Sequence, residues 1–174
     1  MAVVQALVEE LAAARIGRTF NQYGAGPRRA LLRDRLLSYL QSRADAPIVL
    51  VGEAPGYRGA RVSGVPFTSE RQLTGTGPAE ATATIVRRTL RELSLEEHVL
   101  LWNVVPTHPG TATSNRRPTR TEVEAGRRFV AALAAGRRVV GVGRVAAEAL
   151  GVPYVRHPSR GGAAAFRRGL ERAL

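Results

Sequence analysis

The chain has 174 residues, 44% of them hydrophobic, which suits one domain (1–174) with a single sizeable core. It carries 26 basic residues against 14 acidic ones, a formal net charge of +12 that favours a polyanionic partner. Every one of those basic residues is Arg and Cys is absent, which excludes an internal lysine Schiff base, a Walker-type phosphate loop, disulfides, thiolate catalysis and Cys-ligated zinc or iron–sulfur sites.

An all-Arg basic set is what GC-rich coding favours, so the lack of Lys reflects codon bias first and the fit of the guanidinium fork to phosphate second. No apolar run approaches the roughly 20 residues that span a bilayer, and no signal peptide is visible. A cytoplasmic protein with no membrane association is the expectation.

The first element is a helix over 3–15, amphipathic and carrying Glu9 and Glu10. A loop, Thr19 to Gly24, leads to a second helix over 27–43 with Pro27 in its first turn. The apolar run 47–51 is the first strand, and the Gly/Pro-containing loop 52–79 that follows is long enough to be functional. A helix over 80–93 and a strand over 98–103 come next, then a second long loop, 104–118, with Pro106, Pro109 and Pro118.

Thr119 and Glu122 have capping-box spacing for a helix that Gly136 ends. Strand 138–142, helix 144–150, strand 153–156 and helix 161–173 complete the chain. Strands alternating with helices predict a parallel sheet covered on both faces.

Two loops at strand ends stand out. Glu53, fixed between Gly52 and Pro55, and His157, in His157-Pro158-Ser159, can converge at the carboxyl edge of one parallel sheet. Glu53 either acts on a substrate or accepts backbone hydrogen bonds that brace its loop. Gly52 and Gly56 permit close approach of a ligand to the backbone.

Phe67 is either a plug beneath its own loop or a stacking face for a base. Asn103 pairs an acceptor with a donor, matching the edge of a uracil-like ring, or else braces a loop. Ser159, Arg156, Arg160 and the helix start after Gly162 offer donors to phosphate.

His98 begins a strand, and His108 sits in the Pro-rich loop with an unassigned role. No His or carboxylate spacing suggests a metal site. Gly141-Val142-Gly143 is an incomplete dinucleotide fingerprint, with Ala146 at the third Gly position, and fits a tight strand-to-helix turn better.

Taken in order, Gly52-Glu53-Ala54-Pro55-Gly56, Gly64-Val65-Pro66-Phe67, Asn103-Val104-Val105 and His157-Pro158-Ser159 resemble the uracil-DNA glycosylase superfamily, its family 4-like branch above all, across about residues 47–174. The resemblance implies a three-layer α/β/α sandwich around a four-stranded parallel sheet. It implies a monofunctional enzyme that hydrolyses the N-glycosidic bond of uracil, or a related altered base, flipped out of single- or double-stranded DNA. The free base and an abasic site would be its products, and a monomer is expected. Glycosylases for another deaminated or modified base, and a non-catalytic nucleic-acid-binding member of the fold, are the alternatives.

On this resemblance Glu53 would position or activate water or stabilise the cationic sugar, and His157 would hydrogen-bond the base O2 as charge develops there. Phe67 would stack on the base, Asn103 would read its edge and Gly52 would border it. Pro158, Ser159 and Arg160 would press into the duplex, with Arg58, Arg61 and Arg156 as further DNA contacts. Family 4-like enzymes hold a 4Fe–4S cluster on four Cys. Here Thr107 stands at one such position and Gly126 at another, so no cofactor is expected and prolines and packing must hold the 104–118 loop. The loop after Gly56 also lacks the acidic residues common in that branch, carrying Tyr57, Arg58 and Arg61 instead.

Overall fold

The computed structural model describes residues 2–174. Four parallel strands, β1 (Ile48–Gly52), β2 (Val99–Asn103), β3 (Arg138–Val142) and β4 (Tyr154–Val155), lie in the order β2-β1-β3-β4. Register is continuous across the centre: Gly52 lies beside Asn103, and Val51 lies between Trp102 and Gly141.

Alternate residues of each strand face opposite layers. Val49, Val51, Leu100 and Trp102 pack with helices α1 (Ala2–Ala13), α2 (Arg29–Ser42) and α6 (Arg120–Ala134). Leu50, Leu101, Val140 and Val142 pack with α5 (Ala81–Glu92) and α8 (Ala163–Ala173). The result is the α/β/α sandwich the strand–helix alternation predicts. Helix α7 (Arg144–Leu150) lies so close to β3 that a Cβ on Gly141 would come within 2.5 Å of the Ala147 Cα. Gly141 is therefore a helix-docking residue.

Several boundaries differ from the sequence expectation for local reasons. Helix α1 stops at Ala13 because the Asn21 amide takes the Leu11 and Ala14 carbonyls at 2.7 and 3.0 Å, closing off its last turn. Pro27 precedes α2 rather than opening it, since Gly26 (φ 84°) turns the chain and Arg28 occupies the N-cap. The long loop 52–79 contains two short helices, α3 (Ala60–Ser63) and α4 (Glu70–Thr74), each ended by a left-handed glycine. Strand β4 has only two residues, flanked by Pro153 and by the turn into His157-Pro158. The capping box at Thr119 and Glu122 is present as its spacing predicts.

Candidate active site

The chain passes from β1 to one neighbour, β2, and later to the other, β3, so the loops after β1 and β3 diverge at the carboxyl edge of the sheet. Such a switch point opens a crevice in α/β folds. Here it is a cavity of about 680 Å³ lined by Glu53, Phe67, Asn103, Gly143 and His157 among others. The opening expectation, that Glu53 and His157 share one site, corresponds to this geometry.

The inner wall depends on Gly52. A Cβ there would collide with the Phe67 ring and come within 2.9 Å of the Asn103 Oδ1, so glycine is what lets ring and carboxamide meet at the end of β1. Phe67 adopts φ 49°, a left-handed conformation unusual for an aromatic residue. Its flanks are tied down: the Ser63 hydroxyl donates to the Thr68 carbonyl at 2.6 Å, and the Tyr23 hydroxyl donates to the Gly64 carbonyl at 2.9 Å. Phe67 and Asn103 are only 7% and 4% exposed, yet both border the cavity.

Glu53, the next residue after Gly52, is half-buried and lines the same cavity. Burial pushes its carboxyl above the ordinary 4.5, against the opposing pull of the Arg117 guanidinium. Its main chain is fixed, since the Val105 N–H donates to the Glu53 carbonyl at 3.0 Å.

In His157, the ring Nδ1 lies 2.8 Å from the Ser159 Oγ and 3.2 Å from the Ser159 backbone N–H. A backbone N–H can only donate, so Nδ1 is the acceptor and the neutral ring carries its proton on Nε2. Burial, aided by the Arg156 charge, pushes the imidazole below its ordinary 6.5 and favours that neutral form.

Arg156, Ser159 and Arg160 line the cavity rim, and Arg160 takes the left-handed φ of 51° at the loop tip. Pro158 is buried beneath them. Arg58 is exposed and stacks over Tyr57, 5.4 Å from the ring centroid, while Arg61 stacks over Phe20 at 4.9 Å with its Nε buried and unpartnered. Neither lines the cavity. Arg116, Arg117, Arg144 and Glu80 do line it, and sequence reasoning assigned none of them a site role. The polar run ending in Arg116-Arg117 was the available clue to two of them; nothing local marks Glu80.

The 104–118 loop is held by more than prolines and packing. The His108 ring nitrogens lie 2.8 Å from the Pro55 and Thr111 carbonyls, so this histidine joins the Glu53 loop to the 104–118 loop. Phe20 and His108 form an antiparallel bridge, the Gln22 amide donates to the Pro106 carbonyl at 3.0 Å, and the Thr19 and Thr107 hydroxyls lie 2.6 Å apart. Arg116 makes a two-pronged ion pair with the buried Glu122 at 2.7 and 2.8 Å. The Glu122 carboxylate also accepts the N–H groups of Arg18 and Thr119, and is held down at about 2.

An iron–sulfur cluster does not fit this environment. Thr107 is a buried hydroxyl already bonded to Thr19, and Gly126 is packed against the Val104 carbonyl with no space for a side chain. Among the described residues no three His, Asp or Glu side chains group within metal-binding reach, and no helix is long and apolar enough to cross a membrane.

Comparison with known proteins agrees with this architecture. The crystal structure of wild-type SMUG2 from Pedobacter heparinus superposes with a TM-score of 0.70 at 10% identity, covering 98% of this chain and 95% of that one. No curated protein matches the chain. The sequence does match the family model of the uracil DNA glycosylase superfamily over residues 40–170, a span that contains Glu53, Phe67, Asn103 and His157 and all four strands behind them. The chain belongs to the uracil DNA glycosylase superfamily.

Proposed function

We propose that this protein is a monofunctional DNA glycosylase that removes uracil, or a closely related altered base, from DNA by hydrolysis. The observation that carries this is the pairing of Glu53, a half-buried carboxylate, with a neutral-leaning His157 in one cavity whose inner wall is Phe67 and Asn103. In this reading the flipped base stacks on Phe67, and Asn103 pairs with its N3–H and O4. As the bond from C1′ to the base nitrogen breaks, its electron pair passes into the ring. The His157 Nε2–H donates to O2, where the charge collects. Water adds to C1′ and loses its proton to Glu53.

Arg117, Arg144, Arg156 and Arg160 around the cavity would hold the phosphates flanking the flipped nucleotide. The free base and an abasic site are the products. Since the chain has no Lys, strand cleavage through a lysine imine is not part of the proposal. The protein is taken to act in the cytoplasm as a monomer with one domain and no cofactor.

The test incubates the protein with uracil-containing single- and double-stranded oligonucleotides, followed by alkali. Cleavage only after alkali, and its loss in Glu53→Gln, is the expected result. Salt-dependent DNA binding with no base release from any substrate would instead favour a non-catalytic member of the fold.

A further inference from the structure

The segment that carries Phe67 borders two cavities. Phe67 lines the one that holds Glu53, while Val65 and Thr68 line a second, of about 640 Å³, together with Tyr39 of α2 and Arg87 of α5. Arg87 is a poorly matched cation. Its Nε is enclosed without a partner, it forms no ion pair among the described residues, and the nearby Glu96 pairs with Arg91 instead, at 3.6 Å. Burial lowers its guanidinium from the ordinary 12.5, and the Arg43 and Arg91 charges add to this against the pull of Tyr39 and Glu96. Desolvating such a charge is costly, and an apolar side chain of similar size would serve packing better.

What Arg87 does hold is the backbone around Phe67. Its Nη2 donates to the Thr68 hydroxyl at 2.6 Å, and that hydroxyl donates to the Pro66 carbonyl at 3.0 Å. A guanidinium can only donate, so Arg87 occupies the acceptor side of the hydroxyl and leaves its proton for Pro66. The two bonds together span Phe67, whose left-handed φ of 49° persists only where its neighbours are fixed. The guanidinium is itself seated over the Tyr39 ring, 5.6 Å from the centroid, and the Tyr39 hydroxyl accepts the Leu101 N–H at 2.7 Å, two residues before Asn103 on β2. One cation thus connects the backbone behind the ring to the strand that carries the carboxamide. We infer that Arg87 is a positioning residue, which through Thr68 fixes the Phe67 ring against Gly52 at the inner wall of the cavity. The use of that ring for stacking rests on the glycosylase reading; its placement does not.

The test compares wild type with four variants. Arg87→Met keeps length and removes the charge, Thr68→Val keeps shape and removes the hydroxyl, a double variant combines them, and Thr68→Ser retains the hydroxyl. Ring placement is read by NMR without DNA, as cross-relaxation between the Phe67 ring and the Gly52 Hα, which the close approach of the Phe67 Cζ to Gly52 provides. Excision of uracil from oligonucleotides is measured in single turnover, at a temperature where circular dichroism shows every variant folded. Thr68→Val carries the test alone should Arg87→Met not fold.

The expected result is loss of the Phe67–Gly52 contact and an excision rate about tenfold lower in Arg87→Met and in Thr68→Val. The double variant should lose nothing further, and Thr68→Ser should behave as wild type. The thermal midpoint of Arg87→Met should be no lower than that of wild type, because a buried charge has been replaced by an apolar chain. A merely structural role would instead lower that midpoint and leave contact and rate unchanged in the folded protein. That result, or a contact kept in both single variants, overturns the proposal. A wild-type protein that releases no base refutes the glycosylase reading, while the NMR contact still decides the role of Arg87.

Discussion

Replacing Glu122 with Gln keeps the volume of a buried side chain and one acceptor oxygen, but removes the charge that Arg116 and two backbone N–H groups converge on. A carboxyl held at about 2 against an ordinary 4.5 corresponds to about 3 kcal/mol of native-state stability. Arg116 is 37% exposed, and solvent screening reduces this to about 2 kcal/mol. The sign follows from the lowered value: the contribution is complete above about pH 5 and is lost as pH falls through about 2.

Urea unfolding at pH 7, 4 and 2.5 reads this directly. At pH 7 the variant should be less stable by about 2 kcal/mol, or roughly 4–8 °C in Tm for a chain of this size, and the gap should close toward pH 2. A gap of the same size at all three pH values would mean that lost packing, rather than lost charge, explains the effect, and would refute the reasoning.

The remaining predictions concern the site. The proposed chemistry needs Glu53 ionised and His157 neutral, so the rate should rise with pH through both groups and show no alkaline limb from either; a bell-shaped profile assigned to these residues would contradict it. Arg117→Ala removes the cation that lowers the Glu53 carboxyl, so the acid limb of the pH–rate profile should move to higher pH. In single-turnover assays His157→Ala should cost about 10²–10³-fold in rate, the range for one lost transition-state donor. Gly52→Ala should drive the Phe67 ring out of place, lowering activity at least tenfold and stability by about 1–3 kcal/mol, measured by excision and by thermal unfolding.

The layers of the fold were legible because each strand is a short apolar run and each helix carries its own periodicity, both local properties. Glu53, Asn103 and His157 could be picked out for the same reason, since a residue's place at or just past the end of a strand is visible along the chain. Glu80 was not legible. Its place against the Glu53 loop depends on where α5 begins relative to two glycines more than 20 residues earlier, a distance that no local pattern encodes. Arg61 illustrates the converse, a basic residue beside the site loop whose guanidinium is taken up by Phe20, an aromatic ring 41 positions earlier. The 104–118 loop looked held by its prolines because its polar partners, Thr19, Phe20, Gln22 and Glu122, lie in other segments.

The bridge between Phe20 and His108 has a consequence for how the molecule breathes. The superfamily match begins at residue 40, yet the loop bordering the cavity is hydrogen-bonded to residues 19–22 and through His108 to Pro55. These three stretches are expected to open as one cooperative unit. The amides of Phe20 and His108, which bond reciprocally at 2.8 and 3.0 Å, should therefore exchange with solvent at a common rate in a hydrogen-exchange measurement, and a fragment cut at the family boundary would lose the latch along with its leading segment.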